Sequence, residues 1–156
     1  HSLTKIGECP ALATKVIYGV LYSPPRLDCE LKFFLASSPD GSGEWSESTV
    51  YSRLICGEGT RTPSLTIING KPAMAFAEPT FDDVVYGKTL WYFTCDTADG
   101  LGEWQRTSLV DSFQLSGREA SIVHLTNGNP LILYTRYNAS PADSALAYEL
   151  FAAVCN

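Results

Sequence analysis

Apolar residues in this chain come in short runs bounded by turn formers, and no stretch keeps a 3.6-residue apolar period across three turns. The pattern predicts strands and no helix. Three runs rich in aromatic residues stand out: Leu31–Ala36, Leu90–Cys95 and Leu146–Phe151. Upstream of each lies a second run: Gly19–Tyr22, Ala73–Phe76 and Leu131–Tyr134. The last two follow near-identical turns, Asn69-Gly70-Lys71-Pro72 and Asn127-Gly128-Asn129-Pro130. Asn-Gly between apolar segments predicts a hairpin, because both residues tolerate positive φ. The Pro then starts a strand, where a missing N–H is tolerated. A further strand precedes these turns at Pro63–Ile68 and Ala120–Leu125, and Pro10–Ala13 reads as its copy nearest the N-terminus. A fourth strand follows at Trp45–Tyr51 and Trp104–Val110.

The unit is therefore four short antiparallel strands, and it repeats. Asp40-Gly41-Ser42-Gly43-Glu44-Trp45 returns as Asp99-Gly100-Leu101-Gly102-Glu103-Trp104, with the two Trp 59 positions apart. Tandem four-stranded sheets predict an all-β fold, a β-propeller with three four-stranded antiparallel blades per chain. The blades are expected at about residues 8–52, 60–111 and 118–156. Ser2–Ile6 is left over as an orphan segment, expected to complete the last blade of a partner chain by pairing with Leu146–Val154. Three blades do not close a ring of the usual ~4–8 blades, whereas a homodimer supplies six. The competing expectation is a fragment of a longer propeller.

The Trp turns resemble the Asp-box of sialidase-like and other BNR-repeat β-propellers, Ser/Thr-x-Asp-x-Gly-x-x-Trp. Ser38, Asp40 and Trp45 match it, as do Thr97, Asp99 and Trp104, while the glycines stand one residue either side of the expected place. The resemblance implies a structural turn built on Asp40, Gly43 and Trp45 in one copy and Asp99, Gly102 and Trp104 in the other. It also implies that ligands bind at the end opposite these turns. A calcium loop using Asp96, Asp99 and Glu103 is the alternative to a plain turn.

Composition narrows the partners. Net charge is −6, with no basic run, which argues against nucleic acid. No apolar stretch reaches the ~20 residues of a membrane-spanning helix. Cys9, Cys29, Cys56, Cys95 and Cys155 form no CxxC pair, so no metal site is expected, and free thiols are expected over disulfides. Unpaired cysteines favour the cytoplasm, with secretion open if a leader has been removed. No phosphate loop, dinucleotide fingerprint or nucleophile elbow is present, so no cofactor and no catalytic residue is assigned.

Chemistry is expected in the blade-joining loops and the second-to-third-strand loops. Arg61 and Arg118 occupy matching places in the former, with Glu8 in that place in the first unit and Glu119 beside Arg118. Arg136, Tyr137, Glu78 and Tyr86 lie in the latter. Arg suits bidentate capture of an anion, although each of these residues also fits a solvated loop. The leading expectation is a non-enzymatic, lectin-like module for a carbohydrate or small anionic ligand. The alternatives are a sialidase-like glycoside hydrolase, drawing on Arg61, Arg118, Arg136, Tyr137, Glu119 and Asp82, and a protein-interaction scaffold.

Overall fold

A computed structural model describes residues 1–20, 27–56, 62–82, 85–111, 116–138 and 147–154. The described residues form strands and turns without a helix, in three antiparallel sheets. The first sheet runs β1 (Ser2–Ile6), β2 (Cys9–Val20), β3 (Leu27–Ala36), β4 (Trp45–Cys56). The second runs β5 (Ser64–Ile68), β6 (Lys71–Asp82), β7 (Val85–Cys95), β8 (Trp104–Asp111). The third has β9 (Ser116–His124), β10 (Pro130–Asn138) and β11 (Ala147–Val154), with β10 central. Each sheet is an open meander of hairpins.

The register corrects the first unit. Ser2–Ile6 is not an orphan: it pairs inside its own chain, from Ile6↔Cys9 to Ser2↔Ala13. This matches the second sheet, where β5 pairs from Ile68↔Lys71 to Ser64↔Ala75. Gly7-Glu8 does the work that Asn69-Gly70 does there, with Gly7 at φ 59°. Pro10 is thus the counterpart of Pro72, not Pro63, and Pro10–Ala13 belongs to a second strand. The first unit begins at Ser2 and not near residue 8, and β1 is not held over for a partner's last blade.

The long loop expected over Glu78–Lys88 is mostly strand as well. Pairing of β6 with β7 continues through Phe81↔Tyr86 to Asp82↔Val85.

Two cores hold the three sheets. Between the first and second lie Ala11, Ala13, Leu31, Phe33, Leu65, Met74, Phe76, Phe93 and Trp104, all buried. Between the second and third lie Ala73, Ala75, Leu90, Tyr92, Ile122, Ile132 and Tyr134. The second sheet is thus covered on both faces. The first strands of the sheets lie side by side. Ser2 Oγ accepts from the Leu65 N–H at 3.1 Å, and Ser64 Oγ accepts from the Ile122 N–H at 3.1 Å. Ser2 and Ser64 hold the same register place, opposite Ala13 and Ala75, so one bond is repeated at both seams.

Cys29 is disulfide-bonded, and its partner's side chain lies outside the described residues. This corrects the expectation of free thiols at that position. Cys9 and Cys95 are free.

Candidate functional site

The Trp turns close β3–β4 and β7–β8, and antiparallel order puts the β1–β2 and β5–β6 turns at that same end. In the first, Asp40 Oδ1 accepts from Ser38 Oγ (2.8 Å), Ser42 Oγ (2.8 Å) and the Ser42 N–H (3.1 Å). In the second, Asp99 Oδ1 accepts from Thr97 Oγ1 (2.7 Å) and the Leu101 N–H (3.0 Å). The hydroxyl itself accepts from a glycine N–H: Gly43 to Ser38 (2.9 Å), Gly102 to Thr97 (2.8 Å). The glycines divide the labour. Gly41 and Gly100 take the positive φ, at 74° and 77°. Gly43 and Gly102 leave room, since a Cβ there would collide with Ser37 Oγ or with Asp96 Oδ1 and Thr97. The carboxylates are acceptors within the turn, and Asp96 Oδ1 likewise takes the Glu103 N–H at 2.7 Å.

These bonds favour the ionised acids. The Ser42 hydroxyl, then the Ser42 N–H and Ser38, bring Asp40 down to about 2 from 3.8. The Thr97 hydroxyl, then the Leu101 N–H, lower Asp99 from the same value. A folded-state value below the unfolded one adds stability that is complete above the unfolded value and is lost as pH falls through the folded one. The urea midpoint is therefore expected to fall as pH drops from about 4 towards 2, and less steeply in an Asp40→Asn, Asp99→Asn double variant. Equal slopes for the two proteins would show that these hydrogen bonds do not carry the acid sensitivity.

A cavity of about 290 Å³ opens at this same end of the second sheet, on the side turned to the third. Lys71, Ala73, Tyr92, Thr94, Cys95 and Gln105 are among its walls. The volume is at the low end for a ligand pocket, ~300 Å³ and upward. In register, Ala73, Thr94 and Gln105 form one row, as Ala11, Leu35 and Ser46 do in the first sheet. Tyr92 is the counterpart of Phe33, the ring against which Gly100 and Trp104 of the next sheet sit. The cavity is thus the second sheet's copy of a seat that the first sheet has filled with a Trp turn. Sequence reasoning missed it because it depended on placing Pro10 opposite Pro72.

Of the residues expected at the other end, Glu119, Arg136 and Glu8 are those with described side chains. Arg61 lies outside the described residues, as do the side chains of Arg118, Glu78, Tyr86 and Tyr137. Their backbones place Arg118 in β9, Glu78 in β6, Tyr86 in β7 and Tyr137 in β10, in strands rather than loops. Glu119 is exposed, and its N–H donates to Thr135 Oγ1 at 3.3 Å. Arg136 is half-buried, with its guanidinium 4.4 Å from the Phe151 ring centroid and Glu149 opposite it in register. Glu8 is the clear misplacement. It sits in the β1–β2 turn, at the Trp-turn end, opposite the end at which β4 and β8 finish. Among the described residues, no group of three His, Cys, Asp or Glu is gathered to hold a metal ion. No family model, curated protein or solved structure matches the chain.

Proposed function

We propose that the three sheets are successive blades of an Asp-box β-propeller of sialidase-like type, closed as a six-bladed ring by two chains. We further propose that the ring is a non-enzymatic binding module for a carbohydrate or small anionic ligand, taken at the end opposite the Trp turns. The observation that carries the binding reading is the bond from the Ile122 N–H to Ser64 Oγ, which sets β9 beside β5. Arg118 precedes Ile122 by four positions on β9, the strand that lies beside β5, and Arg61 stands three positions before Ser64 in the sequence. An Arg guanidinium suits a carboxylate or sulfate, because it offers a planar fork of N–H donors. The disulfide at Cys29 favours an oxidising compartment, where extracellular glycans are met.

Calorimetry with a sialylated, a sulfated and a neutral oligosaccharide tests this. The anionic sugars are expected to bind and the neutral one not to. Arg118→Ala is expected to weaken binding about tenfold or more, the loss of a charge-assisted hydrogen bond. Release of a fluorogenic leaving group from a sialoside, abolished by the same substitution, would replace this reading with a hydrolase. No anionic binding, together with a specific protein partner, would replace it with a scaffold.

A further inference from the structure

We propose that two copies of the chain dock head to tail, the free face of the first sheet of one copy seating on the free face of the third sheet of its partner. The proposal rests on the propeller reading and specifies its seam. The second sheet meets the first through a row in register, Leu65↔Met74↔Phe93, and through Trp104, which belongs to the same buried cluster. All four side chains are buried there. The first sheet carries the matching row on its other face, Leu3↔Leu12↔Phe34, with Trp45 in the place that Trp104 holds in the second sheet. Among the described residues no other sheet packs on this face, and Leu12 and Phe34 are half-buried. Leu3 is 65% exposed and Trp45 40%, against 6% for Leu65 and 8% for Trp104.

The backbone series points the same way. At each internal seam a Ser hydroxyl of one sheet accepts the N–H of the apolar residue that opens the next row, Ser2 from Leu65 and Ser64 from Ile122. Ser121 stands in the same register place in the third sheet, opposite Leu133 as Ser64 stands opposite Ala75. The series therefore ends in a Ser121 hydroxyl at one end of the chain and a Leu3 N–H at the other. Val123, Leu133, Leu150 and Val154 surround Ser121's sheet with exposed apolar surface, more contiguous than single scattered residues require. On the opposing face, Lys32 is already met by Glu47 at 3.0 Å and Glu30 at 3.5 Å, so its charge is compensated before docking. A second copy is the occupant that carries both missing halves of the series. Two such contacts related by a twofold axis close on themselves.

Light scattering at micromolar concentrations is expected to find twice the 17.0 kDa chain mass. Leu3→Glu and Leu133→Glu are each expected to give monomers with unchanged circular dichroism; both side chains are exposed, and Val123→Glu replaces the second should it fail to fold. An equimolar mixture of the head and tail variants is expected to recover a two-chain species, because one seam then retains two native faces. A monomeric wild type, a two-chain species indifferent to both variants, open polymers, or a mixture that stays monomeric would each overturn the proposal. Sugar binding by a monomeric wild type would sink the docking alone. An intact two-chain species without sugar binding would sink the ligand reading alone.

Discussion

Trp104→Ala is expected to destabilise the protein by about 3–5 kcal/mol, and Trp45→Ala by about 1 kcal/mol or less, although the two stand in the same motif. Trp104 lies with its ring centroid 5.5 Å from that of Phe33 across the seam between the first two sheets. Its Nε1–H is aimed at Gly100 O (2.9 Å) and Ser48 Oγ (3.1 Å). Ser48 Oγ in turn donates to Gly100 O at 2.7 Å, so strand β4, the second turn and the indole form one knot across two sheets. Removing the indole opens a cavity beside the fully buried Phe33 and takes a donor from Gly100 O and Ser48. Among the described residues, Trp45 keeps the local bond alone, Nε1–H to Gly41 O at 3.3 Å. For a chain of this size, 3–5 kcal/mol lowers the thermal midpoint by about 6–20 °C. Urea midpoints at unchanged m-value are the direct check, with Trp45→Ala read on the Leu3→Glu background so that association does not enter. Equal losses would mean that the seam between the sheets contributes little.

That difference was not legible in the sequence, and the reason is general to repeats. The local signal at Asp40–Trp45 and Asp99–Trp104 specifies a turn, and the carboxylate bonds within each turn follow from it. Burial of the indole is decided by whether another sheet lies across it, which no local pattern records. The strands were legible for the same reason that the turns were: alternating apolar and β-branched residues between turn formers leave few other conformations. The first unit was misread where its turn departs from Asn-Gly. Gly7-Glu8 gives the required positive φ at Gly7 without the Asn-Gly spelling, so the sequence pattern aligns Pro10 with Pro63, whereas the register aligns it with Pro72. One strand's slip then displaced Glu8 to the wrong end and turned β1 into an orphan. The cavity at Tyr92 was hidden by the same slip. Arg118 and Arg136 stand in β9 and β10 where connections were expected, so the sequence names them but does not set their distances.

Gly100→Ala is expected to cost about 2–5 kcal/mol, against about 1–2 kcal/mol for Gly70→Ala. The two glycines have nearly the same backbone, φ 77° and φ 76°, so an added methyl strains each alike. They differ in what the methyl meets. At Gly70 nothing lies within 4 Å, whereas at Gly100 it would stand 2.6 Å from Phe33 Cζ. Phe33 is fully buried and packed against Trp104, so the ring has no open side to move to. The backbone cost is common to both variants, and the difference between them, about 1–3 kcal/mol, is the packing cost at the seam. Gly41, at φ 74° with Pro10 and Trp45 at an ordinary 3.6 Å, is expected to behave like Gly70. A double-mutant cycle isolates the contact: Phe33→Leu makes room for the methyl, so Gly100→Ala should cost less on that background than in the wild type. If Gly100→Ala and Gly70→Ala are equally tolerated, the close approach of the second turn to the first sheet is wrong, and the account of the Trp104 seat falls with it.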